Sequence, residues 1–318
     1  MISFGPVPSR RLGQSLGINN IPGDKICTYA CIYCQVGATR HYTLERQSFY
    51  SPEQIFKAVE EHLSKLQGMP DYLTFVPNGE PTLDIHLKES IRLLKQSGIP
   101  IAVITNASLL GDAGVRDALS LADWVSVKVD ANDEAVWKKI NRPHPKLTFE
   151  GYKEGLLTFA SSYKGILATE TLMVYYGVND GAELLQHNAS LIATIKPATA
   201  YLSIPTRPPA MRSVKKPDEE AINRAYQIYT DAGLHCELLL GFEGSDTGFT
   251  GDAREDILNM SAVHPIREET MGEILRKNRA DSSLPDQLVR EKEIREVIYQ
   301  DKKFWIRNFT RAEGIGLA

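Results

Sequence analysis

Cys27-Thr-Tyr-Ala-Cys31-Ile-Tyr-Cys34 places three of the chain's four cysteines within eight residues. The segment follows a short apolar run, Leu16–Asn19, and a Pro22-Gly23 turn, so it reads as a loop leaving the end of a strand. A disulfide would leave one of the three unpaired. Two metal readings stand beside the bland one of buried cysteines clustered by chance. Zinc would take the three thiolates with His41 as a fourth ligand. An iron–sulfur cluster would take three thiolates and keep one iron open for a reactive group.

Outward from the cysteines, short apolar runs alternate with helical patterns. Ser51-Pro52-Glu53 opens a helix with Ser at the N-cap and Pro at the first position, and Ile55, Phe56, Val59 and Leu63 give it one apolar stripe. Tyr72–Val76 predicts the next strand. A helix with Leu87, Ile91 and Leu94 follows and ends at Gly98 and Pro100. Further strands are expected at Ile101–Ile104, Trp124–Val129, Ile166–Val174, Tyr201–Ile204 and His235–Leu240. Helices near 112–121, 181–195 and 217–231 lie between them. No two strands are joined by a two-residue hairpin turn, so a parallel sheet with crossover helices is the economical topology.

The chain has 318 residues, 42% hydrophobic and 24% charged, with a formal charge of −4. This composition excludes wholesale disorder, and the charge does not advertise a nucleic-acid or membrane binder. No apolar stretch approaches the ~18–20 residues of a membrane helix, and the first ten residues lack the features of a signal peptide. A cytoplasmic protein without a membrane partner is expected. No His-Glu-x-x-His, Walker loop, Gly-x-Gly-x-x-Gly after a strand or Gly-x-Ser-x-Gly elbow is present, which removes the common hydrolase and nucleotidase readings.

After Leu240 the texture changes. Residues 241–251 hold four glycines and read as a linker or an active-site lid. Helices follow, then two strands around Gln300-Asp-Lys-Lys303 within 296–309. That order predicts a winged-helix-like domain over 246–318, against a barrel over 1–245. From Arg254 onward there are 12 basic and 12 acidic residues, so the module is not strongly basic. Lys302, Lys303, Trp305 and Arg307 are candidates for nucleic-acid contact, unless Trp305 serves as a core anchor.

The spacing Cys27-x3-Cys31-x2-Cys34, with Tyr33 before the third cysteine, resembles the radical S-adenosylmethionine superfamily. Asn78-Gly79-Glu80-Pro81 lies where that superfamily has its Gly-Glu-Pro-like turn, and Thr105-Asn106 where it often has a Thr-Asn turn. The opening Gly5-Pro-Val-Pro-Ser-Arg-Arg-Leu-Gly13, with Asn141-Arg-Pro143 and Ile204-Pro-Thr-Arg-Pro208, is similar to a group related to tRNA wyosine synthases. True wyosine synthases carry cysteines for a second cluster, and here the only other cysteine is Cys236, in an apolar strand.

The resemblance implies an α/β fold: a partial (β/α)6 TIM-like barrel with a small winged-helix-like C-terminal domain. It implies one 4Fe–4S cluster on Cys27, Cys31 and Cys34, with S-adenosylmethionine chelating the fourth iron. Tyr33, Asn78, Gly79, Glu80, Pro81 and Asn106 are then expected around the cofactor, with Glu80 receiving its amino group. Ser126, Lys128 and Asp130 alternate onto one face of a strand, where Lys128 would meet either the methionyl carboxylate or Asp130. Thr169, Thr171 and Asn179-Asp180 are candidates for the ribose. Arg10, Arg11, Arg142 and Arg207 are candidates for an anionic substrate. The implied activity is reductive cleavage of S-adenosylmethionine to a 5′-deoxyadenosyl radical that takes hydrogen from a substrate, with tRNA ahead of protein. A reducing partner such as ferredoxin or flavodoxin would supply the electron. The rival class is a non-catalytic metal- or cluster-sensing regulator that binds nucleic acid.

Overall fold

A computed structural model describes residues 2–175, 178–241 and 244–308. The chain opens with an antiparallel pair, β1 (Ser3–Ser9) and β2 (Gly13–Ile18). The cysteine segment carries two short parallel-paired strands, β3 (Ile26–Cys27) and β4 (His41–Tyr42). There follow α1 (Pro52–Leu63), β5 (Tyr72–Phe75), α2 (Leu87–Leu94), β6 (Ile101–Thr105), α3 (Ala113–Leu119), β7 (Trp124–Lys128), α4 (Glu134–Asn141) and α5 (Phe149–Ser162). Next come β8 (Ile166–Leu172), α6 (Ala182–Ile195), β9 (Thr199–Ser203), α7 (Glu219–Asp231) and β10 (Cys236–Leu239).

Eight strands form one curled sheet in the order β1-β2-β5-β6-β7-β8-β9-β10. The pairs from β2 through β10 are parallel. This is the expected partial barrel: the strand expected at His235–Leu240 joins as β10 and makes seven parallel strands, one more than the (β/α)6 barrel that the resemblance implied. It also has an added antiparallel edge. The edge strand β1 contains Pro6 and Pro8, which cannot donate to a ladder and so are tolerated only where one side is unpaired.

Local sequence chemistry sets the element ends. Ser51 and Gln54 form a reciprocal capping box at the start of α1. Asp112, Asp133, Thr148 and Asp218 cap later helices through their side chains. Gly98 takes the left-handed conformation that ends the helical stretch after α2. Strands β6 and β7 are buried on both faces, as parallel strands between two layers must be. The outer face of the sheet packs on the helices in one large core that includes Leu73, Val103, Val125, Val127 and Ile192. The inner face closes on a smaller cluster of Leu12, Ala102, Trp124, Ala168, Tyr201 and Leu239.

The C-terminal region is built from α8 (Ala253–Val263), β11 (Ile266–Arg267), α9 (Glu268–Asn278), α10 (Leu284–Arg290), β12 (Ile294–Tyr299) and β13 (Lys302–Arg307). Its sheet runs β11-β13-β12. Residue 309, the last of the expected second strand, lies outside the described residues. This region has its own core of Ile257, Met260, Ile266, Ile274, Leu288 and Trp305, so Trp305 is an anchor. Lys303 pairs with Glu296 at 2.6 Å and Arg307 with Glu293 at 2.8 Å. The glycine-rich segment is tied to the barrel: Gly248 N donates to Pro6 O at 2.6 Å, and Gln14 Nε2 donates to Asp246 O at 3.2 Å. Among the described residues no helix is long and apolar enough to cross a membrane.

Candidate functional site

The strand that carries Cys27 is locked to the Gly79-Glu80 turn beyond β5. Ile26 N donates to Asn78 O at 3.2 Å, and Glu80 N donates to Ile26 O at 3.1 Å. Only glycine fits this crossing: φ at residue 79 is +152°, and a Cβ there would lie 1.7 Å from Ile26 O. Glu80 then ties the turn to the end of β6. Its Oε1 accepts from Thr82 N (3.2 Å), Thr82 Oγ1 (2.6 Å) and Thr105 Oγ1 (2.6 Å), while Oε2 accepts from Asn106 N at 2.8 Å. Burial raises the Glu80 pKa, and these donors oppose the rise. Asn106 Nδ2 continues the chain to Thr28 Oγ1 at 2.8 Å and Cys27 Sγ at 3.6 Å.

The other side of the cysteine segment rests on α4. Ala30 N donates to Asn141 O at 3.1 Å and Ile32 N to Ile140 O at 3.0 Å. Trp137 Nε1 donates to the Tyr29 hydroxyl at 3.0 Å. Asn141 Nδ2 reaches Asp130 at 2.6 Å and Cys31 Sγ at 3.6 Å. The Tyr33 hydroxyl donates to Asp130, whose other oxygen accepts from Leu172 N at 2.8 Å.

Cys27, Cys31, Cys34 and Tyr33 line one cavity of about 280 Å³ together with Gly79, Glu80 and Asn106. Lys25 shares that lining. Burial pushes Cys27 up to about 11 and Cys31 up to about 12. Burial would raise Cys34 too, but Lys25 draws it below its ordinary value. Metal must therefore displace thiol protons on binding.

Among the described residues no three His, Cys, Asp or Glu side chains are gathered closely enough to hold a single ion. A four-iron core spreads its thiolates wider than one zinc does, whose Zn–S bonds are about 2.3 Å. The positive sign is the lining itself: three cysteines, with no histidine or fourth cysteine among the lining residues, suit a cluster that keeps one iron open. His41, the fourth ligand of the zinc reading, is exposed and outside the cavity. Cys236 is buried in β10 and is not among the residues that line the cavity.

A second wall carries charge. Lys128 Nζ lies 3.1 Å from Glu170 and 3.9 Å from Asp130, and 5.1 Å above the Tyr33 ring. Arg11 meets Glu170 at 2.6 Å, and Ser203 Oγ donates to it at 2.8 Å. Burial alone would raise the Glu170 carboxyl, yet Lys128 and Arg11 hold it far below the usual range. Lys128 therefore has Glu170 as its main partner, ahead of Asp130. A third wall is formed by residues 204–207 and Gln35, and the C-terminal region rests on it. Arg207 bonds His264 Nε2 at 2.7 Å and Gln35 Oε1 at 3.2 Å. Arg267 donates to Thr206 O at 3.0 Å.

Several expected residues support the cavity without lining it. Asn78 holds Gly23 O and the β3 strand, and Pro81 starts the 3-10 turn that Glu80 caps. Ser126 is fully buried beneath Lys128 on the same face, and Asp130 braces Tyr33 and Asn141. Thr171 is misplaced by the sequence reading. The pairing of Lys128 with Glu170 puts Glu170 on the inner face and both Thr169 and Thr171 on the outer one. There Thr171 Oγ1 donates to Val129 O at 2.7 Å and contacts the Tyr229 hydroxyl at 3.0 Å. Asn179 likewise buttresses a loop, donating to Asp130 O and Leu172 O. Arg10 and Arg142 are exposed and outside the lining, whereas Arg11 and Arg207 belong to it. Sequence reasoning missed Lys25, Gln35, Asn141, Glu170 and Ser203. Neither Lys25 nor Glu170 carries a local signal: burial singles out the first and the pairing of β7 with β8 the second.

Comparison with known proteins bears on this arrangement. The sequence profile described as the radical SAM superfamily matches residues 24–187. The chain is 44% identical over 310 residues to the UPF0026 protein MJ1312 of Methanocaldococcus jannaschii, covering 96% of each. It is 35% identical over 224 residues to a UPF0026 protein of Helicobacter pylori, covering 70% of this chain and 71% of that one. Among solved structures, a radical SAM methyltransferase from Sphaerobacter thermophilus matches with a TM-score of 0.54 at 15% identity, over 71% of this chain and 66% of that one. At that identity the likeness is one of fold.

Proposed function

The chain belongs to the radical SAM superfamily, and from that premise we propose that Cys27, Cys31 and Cys34 hold one 4Fe–4S cluster and that the adjoining cavity takes S-adenosylmethionine. The observation that carries this reading is the shared lining: the three sulfurs, Glu80 and Asn106 face one cavity, and Cys236 does not. Bound together and reduced, the two cofactors supply a 5′-deoxyadenosyl radical that takes hydrogen from a substrate.

The protein's part is to hold and orient. Asn106 and Asn141 each direct a side-chain N–H toward a cysteine sulfur, which suits thiolates carrying a metal. Glu80 Oε2 has one protein donor where Oε1 has three, which leaves Oε2 to receive the amino group of S-adenosylmethionine. Tyr33, braced by Asp130, closes the cavity next to Cys34. The wall of Lys128, Glu170, Arg11 and Ser203 presents fixed charge to whatever enters.

For the C-terminal region the order helix, short strand, two helices and hairpin supports a winged-helix reading. A tRNA substrate rests on the sequence resemblance alone. Lys303 and Arg307 are engaged with carboxylates and Trp305 with the core, which weakens contact through the wing and favours a substrate reached from the barrel side. The same pairs leave a cluster-sensing regulator without an observation in its favour. Iron analysis after anaerobic reconstitution tests the cluster assignment. About four irons per chain are expected, retained in Cys236→Ala and lost in Cys27→Ser, Cys31→Ser or Cys34→Ser. Loss of iron on changing Cys236 would overturn it.

A further inference from the structure

Lys25 is only 6% exposed, yet among the described residues no carboxylate lies within ion-pair distance of its ammonium. Its Nζ donates to Gly37 O at 3.0 Å, a neutral partner that orients the group without cancelling its charge. The backbone around it is fixed on both sides. Lys25 O accepts from His41 N at 3.1 Å, and the neighbouring Ile26 is pinned to the Gly79-Glu80 turn. Gly37 N donates back to Cys34 O at 3.1 Å, so the turn after the third cysteine wraps the lysine. The other charged groups on the cavity are Glu80, which accepts from Thr82, Thr105 and Asn106, and the separate wall of Arg11, Lys128, Glu170 and Arg207. An ammonium buried without an anion is costly. The groups beside it that become anionic are the three cysteine sulfurs.

We propose that Lys25 is the built-in counter-charge of the iron–sulfur cluster and sets its reduction potential. The inference rests on the cluster assignment above. Three thiolates on a four-iron core make an anionic assembly, and one added electron makes it more so, with no bond formed or broken. A fixed positive charge in a low-dielectric site stabilises the reduced form more than the oxidised form and raises the potential. Lys25 thereby eases the entry of the electron on which the chemistry depends. It is a positioning residue for charge and need not touch substrate.

The test is a redox titration of the reconstituted full-length protein without S-adenosylmethionine, with dithionite as one-electron reductant and the reduced cluster followed by electron paramagnetic resonance. Iron and sulfide contents are measured first. Lys25→Gln keeps a donor for Gly37 O and loses the charge; its midpoint should move to more negative potential. Lys25→Arg should stay near wild type. If Lys25→Gln holds no cluster while Lys25→Arg holds a full one at the wild-type potential, the requirement for charge is supported; loss in both variants overturns it. A full cluster in Lys25→Gln at unchanged potential overturns it as well. So does weakened S-adenosylmethionine binding at unchanged potential, which would make the lysine a cofactor ligand. A wild-type protein that takes up no iron refutes the cysteine assignment, and this inference with it.

Discussion

Replacing Gly79 by alanine should dislodge the first cysteine. The added Cβ would sit 1.7 Å from Ile26 O, about half a normal contact distance, and the obstacle is backbone, which cannot rotate aside. Residue 79 is also at φ +152°, where an L side chain is strained whatever the space. Relief requires β3 to move away, breaking the bonds from Ile26 N to Asn78 O and from Glu80 N to Ile26 O. Each is worth about 1 kcal/mol net. Overpacking that cannot relax adds about 1–3 kcal/mol. The loss should therefore total about 3–5 kcal/mol, and Cys27 moves with the strand. Gly272→Ala in α9 is the matched control: a Cβ there meets nothing within 4 Å, so a helix interior should gain about 0.5–1 kcal/mol. The assay is denaturant unfolding of the apoprotein with iron retention after reconstitution. Wild-type stability and full iron in Gly79→Ala would refute the claim that this crossing positions the cluster ligand.

Glu80→Gln places an amide N–H against Asn106 N or against the Thr82 and Thr105 donors; it should weaken S-adenosylmethionine binding by about tenfold to a hundredfold, roughly 1.5–3 kcal/mol. Calorimetric titration of the reconstituted protein checks this, and unchanged affinity would reduce the carboxylate to a turn cap. Acid should loosen the C-terminal region at His264. Arg207 donates to its Nε2, so the ring is neutral there, and burial with Arg207 and Arg267 nearby holds its pKa well below the ordinary 6.5. Once released, the ring titrates at its ordinary value, so this contact is at full strength above pH 6.5 and is lost as pH falls toward the depressed value. Hydrogen exchange across 204–207, corrected for intrinsic rates, should be faster at pH 5.5 than at 7.5; equal protection would refute it.

The sequence made the cysteine loop and the Gly-Glu-Pro turn legible because both depend on local chemistry: thiolate spacing, and a glycine before a capping acid. Helix starts were equally plain, since Ser51, Pro52 and Asp112 act within one turn. What was hidden depends on pairing. β1 was unreadable because Pro6 and Pro8 argue against a strand until its place at an edge is known. The inner face of β8 was read the wrong way because Thr169, Glu170 and Thr171 are all compatible with burial; only the pairing of Lys128 with Glu170 decides which points inward. Arg142 drew attention by its charge, yet the structure uses its backbone: it ends α4 in the left-handed conformation, and its carbonyl accepts from the Tyr42 hydroxyl. Lys25 looked like an ordinary loop lysine because burial cannot be read from one residue.

If this cavity joins a three-cysteine cluster to S-adenosylmethionine for radical chemistry, the products of cleavage report it directly. Protein reconstituted anaerobically, reduced with dithionite and given S-adenosylmethionine should release 5′-deoxyadenosine and methionine, and a Cys27→Ser, Cys31→Ser or Cys34→Ser variant should release neither. A fully loaded, reduced wild-type protein that binds S-adenosylmethionine yet yields no 5′-deoxyadenosine, even with cell extract supplied as a source of substrate, would contradict the account.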